Sequence, residues 1–141
     1  MKTTPRSRKA ATVRIGDEMR HTPQTIDVRR SLAAAHALMR KSRIRHLPVV
    51  QGKKLVGMLS IGDLHLIETL KDVDPERVAV DEAMSTEPYT VSPKEPLADV
   101  ARTMAERRLG SAIVMSRGKV VGIFTTVDAL ALLARLLDET A

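Results

Sequence analysis

The chain has 141 residues, a formal net charge of +6, and 43% hydrophobic, 28% charged and 1% aromatic residues. That length can hold a real core, which must be aliphatic because there is one Tyr, one Phe and no Trp. The absence of cysteine excludes disulfides, thiolate metal sites and thiol nucleophiles, and no apolar run approaches the ~20 residues of a membrane-spanning helix.

The positive charge is concentrated at one end. Lys2, Arg6, Arg8, Lys9 and Arg14 face no acid within residues 1–14, so the rest of the chain is close to neutral. Residues 1–14 read as a basic flexible tail. The tail has no apolar signal core, and a cytoplasmic location is the expectation.

Ile15 to Met19 predicts one helical turn, ended by His21-Thr22-Pro23, since proline drives its predecessor out of the helical region. Thr25-Ile26 is a short extended segment. Ser31 to Ser42 predicts a helix whose inward face carries Leu32, Ala35, His36 and Met39. Leu47 to Val50 is an apolar strand, Gly52-Lys53 a turn and Lys54 to Ser60 the returning strand, a hairpin pattern. A helix follows from about Gly62 to Leu70.

After a polar connector around Lys71 to Pro75, the order begins again. Val80 to Met84 is a short helix, and Pro88 a punctuator. Pro96 to Leu109 is an amphipathic helix with Leu97, Val100, Ala101 and Met104 inward. Ala112 to Met115 and Lys119 to Thr125 form a hairpin around Arg117-Gly118. Val127 to Leu137 is a closing helix, apolar nearly all round, which demands burial on more than one side.

The recurrence is an internal repeat. Shifted by 65 positions, Met19–His65 overlays Met84–Leu130 without a gap, with twelve identities that include Met19/Met84, Arg43/Arg108, Gly57/Gly122 and Asp63/Asp128. Two copies predict a pseudo-twofold pair, since a solenoid needs at least about three units. The fold class is α/β (α+β): two repeats, each α-β-α-β-β-α, packed through their sheets. The boundaries are a tail at 1–14, repeat 1 at 15–70, a linker at 71–79 and repeat 2 at 80–141.

Each copy ends on Gly-x-x-[Ser/Thr]-x-x-Asp, as Gly57…Ser60…Asp63 and Gly122…Thr125…Asp128. A hydroxyl followed three residues later by an acid is a capping-box pattern, a structural reading for either copy alone. Recurrence in register, a glycine within a strand and a helix start with free N–H groups point instead to a nucleotide cradle.

These endings, the repeated element order and the segment Arg45-His46-Leu47-Pro48-Val49-Val50 resemble a tandem pair of CBS domains, a Bateman module, over about Ile15 to Leu137. The resemblance implies ribose binding by Asp63 and Asp128, with Ser60 and Thr125 near phosphate or ribose. It implies an adenine wall of Thr25, Ile26, His46, Leu47 and Pro48 in copy one, and of Thr90, Val91, Ser111, Ala112 and Ile113 in copy two. Ile113 stands where copy one has Pro48. The spacers Ile61-Gly62 and Thr126-Val127 carry no charge, so a polyphosphate needs help from Arg43, Arg45 or Arg108. AMP, ADP, ATP or S-adenosylmethionine is the implied ligand class, and no cofactor is required.

His21, His36, His46 and His65 show no metal spacing, and a satisfied, partly buried role is expected for His36. Tyr89 reads as a turn residue. No Gly-x-Ser-x-Gly elbow or other matched nucleophile and base appears, so no catalysis is expected. The overall expectation is a regulatory adenosine-nucleotide sensor acting through conformational change. It would be a homodimer that signals to an effector protein. The alternatives are a ligand-free dimerisation or interaction module, and a nucleic-acid binder using the tail. Nucleic acid is not expected, because stacking aromatics are missing.

Overall fold

The computed structural model describes residues 13–140; of the tail expected over residues 1–14, residues 1–12 lie outside them. The elements are α1 (Ile15–Glu18), β1 (Arg20–His21), β2 (Ile26–Asp27), α2 (Leu32–Ser42), β3 (His46–Gln51), β4 (Lys54–Ser60) and α3 (Ile61–Glu68). A single 3-10 turn (Val80–Glu82) follows, then β5 (Thr90–Val91), α4 (Leu97–Arg107), β6 (Ser111–Ser116), β7 (Lys119–Thr125) and α5 (Thr126–Thr140). Among the described residues, five helices and two sheets form the mixed α/β fold that the sequence pattern predicts.

The chain divides into two compact units, and neither is a contiguous repeat. One is Pro23–Pro88; the other joins the described residues up to Thr22 with those from Tyr89 onward. The segment ahead of each punctuating proline therefore packs with the body of the other repeat.

In the Pro23–Pro88 unit the sheet order is β2-β3-β4. β2 runs parallel to β3, and β3 antiparallel to β4 with a bulge between Val49 and Val50. Ser31 caps α2 by accepting a hydrogen bond from the Ala34 N–H at 3.1 Å. The helix buries Leu32, Ala35 and Met39 against Leu47, Val49, Leu59, Leu64 and Val80. His36, at the edge of that stripe, is half-buried.

The helix expected over Val80–Met84 is only a 3-10 turn. Pairing takes precedence there: Met58 N–H donates to Ser85 O at 2.9 Å and Ser85 N–H to Met58 O at 2.8 Å. Those two bonds hold the chain extended where the helix would have continued.

In the other unit the sheet order is β1-β7-β6-β5. β1 has no counterpart in the sequence reading, because a strand of two exposed residues has no periodicity to detect. It pairs Arg20 with Ile123 and His21 with Gly122. Val13 and Arg14, which the sequence places in the tail, are folded here. Val13 O accepts from the Leu97 N–H at 2.8 Å, and the Arg14 guanidinium reaches Lys94 O at 2.9 Å.

The core of this unit contains Ile15, Val91, Leu97, Val100, Met104, Ala112, Val114 and Phe124. Ala101, expected inward, is exposed. Leu97, Val100 and Met104 define the buried stripe, and Ala101 falls beyond its edge at ~100° per residue. Helix α5 buries no residue fully, and Leu130 and Leu137 are 65% and 60% exposed.

Candidate functional site

Both signature endings form helix caps. Ser60 N–H donates to Asp63 Oδ2 at 2.8 Å, and Asp63 N–H donates to Ser60 Oγ at 3.1 Å. Thr125 N–H donates to Asp128 Oδ2 at 2.9 Å, and Asp128 N–H donates to Thr125 Oγ1 at 3.3 Å. The reciprocal bonds satisfy N–H groups that a helix start leaves without intrahelical partners. They also fix each carboxylate at the junction of a strand and a helix. All four residues are half-buried, within reach of solvent.

The strands bring the other candidates toward these caps. His46 opens β3 directly opposite Ser60, with Leu47 opposite Leu59 and Pro48 opposite Met58. Ile26 lies beside Val49, which places Thr25 next to the same end of the sheet. In the other unit Ser111 lies opposite Thr125 and Ala112 opposite Phe124, while Thr90 lies beside Ile113 and Val91 beside Val114.

The implied adenine wall is only partly available to a ligand. Ile26 and Leu47 belong to one core, Val91 and Ala112 to the other, and Ile113 is fully buried. Pro48 and Ser111 are also buried. Thr25, His46, Ser60 and Asp63 keep half-buried side chains, whereas Thr90 is exposed.

The signature glycines have a steric role. A Cβ on Gly57 would lie 2.5 Å from Met84 Sδ and 2.6 Å from Ser85 O. A Cβ on Gly122 would collide with Met19 Sδ and lie 3.0 Å from Arg20 O. The glycine and methionine identities of the repeat are thus one packing device, each glycine accommodating the methionine of the other copy's lead segment. The sequence reading, which took the glycine as a sign of a nucleotide cradle, missed this because the partners lie far apart along the chain.

The two carboxylates differ in their surroundings. Arg20 Nε donates to Asp128 Oδ1 at 2.7 Å, so both oxygens of Asp128 are engaged. The position matching Arg20 in the repeat is Ser85, and the described residues supply no cation to Asp63. Arg43 and Arg108 end α2 and α4 in the left-handed conformation, at φ 54° and 56°. Their N–H groups close the last helical turn, a structural reason for that repeated identity. Tyr89 packs against its core and lies 5.5 Å beneath the Arg107 guanidinium.

The CBS domain family model matches residues 14–66 and again 80–135. The chain belongs to the CBS-domain family and carries the domain twice. The CBS domain-containing protein YhcV of Bacillus subtilis is 28% identical over 114 residues, covering 81% of both chains. Homoserine O-acetyltransferase of Methanosphaera stadtmanae is 30% identical over 115 residues, and the chain spans 22% of its length. The CBS domain pair of MJ0100, solved in complex with 5′-methylthioadenosine and S-adenosyl-L-methionine, superposes with a TM-score of 0.77 at 26% identity. That match covers 86% of this chain and 99% of the other. No helix among the described residues is long and apolar enough to cross a membrane.

Proposed function

We propose that this CBS pair is a non-catalytic regulatory module that binds an adenosine-containing ligand such as AMP, ADP, ATP or S-adenosylmethionine. The module works as a cytoplasmic homodimer and passes its ligand state to an effector protein through conformational change. The observation that carries this reading is the Ser60–Asp63 cap. It holds a half-buried carboxylate at a helix start, three residues after Ser60, which lies opposite His46 in the sheet, with Oδ1 free of any protein partner among the described residues. Such a carboxylate can accept hydrogen bonds from a ribose diol, and the helix start favours a phosphate or another anionic group. The adenosine compounds bound by the MJ0100 domain pair support the ligand class.

Asp63 is the stronger ribose acceptor of the two signature aspartates. A ribose at Asp128 must displace or share Arg20. The Arg20 side chain is 60% exposed and that of Asp128 only 11%, so the pair is worth about 1 kcal/mol, or roughly fivefold in affinity.

The test is a thermal-shift titration with AMP, ADP, ATP and S-adenosylmethionine. A ligand at ~100 times its Kd stabilises the fold by about 2.7 kcal/mol. Asp63→Asn keeps an oxygen for the helix cap and removes the charge, so it should weaken binding at least about tenfold with little change in unliganded Tm. Arg20→Ser should strengthen any binding at Asp128. No shift with any of the four ligands, in a folded wild-type protein, rejects the adenosine reading. It would leave the interaction-module reading, which the steric role of the glycines favours.

A further inference from the structure

We infer that His36, His65 and Glu68 form a binding site for a divalent metal ion of the zinc class, separate from the helix-start carboxylate. His36 projects from α2, and His65 and Glu68 from α3, three residues apart on one face of the same helix. One ligand atom from each lies within 4.8 Å of the others. His36 Nδ1 lies 2.8 Å from Glu68 Oε2, and the two imidazole rings meet edge to face with centroids 6.0 Å apart.

Two imidazoles and a carboxylate are a donor set that zinc-class ions take with one coordination position left to water. Bonds of about 2.0–2.2 Å in a tetrahedral arrangement put donor atoms roughly 3.3–3.5 Å apart. The His36–Glu68 pair must therefore open slightly and the widest pair close by at most about 1.5 Å. Side-chain rotation provides this, because His65 is exposed and the side chains of His36 and Glu68 are 26% and 25% exposed. The same exposure gives an ion a path in from solvent. A bound ion would tie α2 to α3, the helix whose first turn carries Asp63.

The repeat provides an internal comparison. The matching positions in the second copy are Ala101, Leu130 and Leu133. The fold thus forms without donors at these places, and the three donors occur together in one copy and are absent together from the other. The sequence reading found no metal spacing because one ligand comes from a different helix. The His65/Glu68 spacing of three was the available signal.

The untagged full chain, stripped with chelator, is titrated with Zn²⁺ by calorimetry and with Co²⁺ by visible absorption. One ion per chain and intense Co²⁺ d–d bands are expected. His65→Leu, which installs the residue of the second copy at an exposed position, should weaken Zn²⁺ binding more than about tenfold and abolish the bands. Glu68→Gln should weaken binding in the same direction, and far-UV circular dichroism confirms that both variants fold. No Zn²⁺ uptake by wild type, or uptake equal in wild type and both variants, overturns the inference. Because the ion is tested alone, the result is independent of whether adenosine compounds bind.

Discussion

Gly57→Ala tests whether the signature glycine is needed for packing. The new Cβ would sit 2.5 Å from Met84 Sδ and 2.6 Å from Ser85 O. The methionine can swing aside, but the carbonyl cannot, because it accepts the Met58 N–H at 2.9 Å in a paired extended segment. Overpacking of this kind costs about 1–3 kcal/mol. The alanine recovers roughly 0.4–1 kcal/mol through a less disordered unfolded chain. The net expectation is a loss of about 1–2 kcal/mol, or a Tm fall of roughly 3–7 °C at this chain length. Scanning calorimetry on unliganded protein measures it.

Two companion variants isolate the cause. Met84→Ala in the Gly57→Ala background removes the sulfur and should recover part of the loss, leaving the Ser85 O contact in place. Gly62→Ala, in α3 with only Ser60 Oγ near its Cβ at 3.6 Å, should stabilise by up to about 1 kcal/mol. A Gly57→Ala protein as stable as wild type, without ligand, would refute the packing argument and return the glycine to the ligand cradle.

Two further outcomes are expected. Ser31→Ala removes the side-chain cap of α2 and should cost about 1 kcal/mol in urea denaturation; an unchanged midpoint would mean solvent replaces the cap at no cost. Light scattering after size exclusion should give a dimer mass for wild type. Leu130→Asp with Leu137→Asp, on the exposed apolar face of α5, should shift that mass to the monomer, whereas a wild-type monomer would remove the homodimer from the proposed function.

Much of this molecule can be read from the order of its residues. Hairpin strands at Lys54–Ser60 and Lys119–Thr125 and a helix ending at Ser42 follow from local periodicity and turn chemistry, which act over a few residues; the helix expected over Pro96–Leu109 ends two residues sooner, at Arg107. The capping boxes at Ser60/Asp63 and Thr125/Asp128 are equally local, three residues long. The register of the repeat added that the same architecture is built twice, and its motifs identified the family.

Other features depended on residues far apart in sequence. β1 exists only because Arg20 and His21 find an edge on β7, more than a hundred residues away. Gly57 with Met84, Gly122 with Met19, Arg20 with Asp128 and His36 with the His65/Glu68 pair are likewise joined by the fold. Periodicity states which face of an element is apolar; it does not state which distant segment comes to lie on that face. The chain alone therefore determined the elements and the doubled signature. Tertiary packing decided that each repeat's lead segment lies with the other's body, that the two aspartates are unequal, and that three donors meet between two helices.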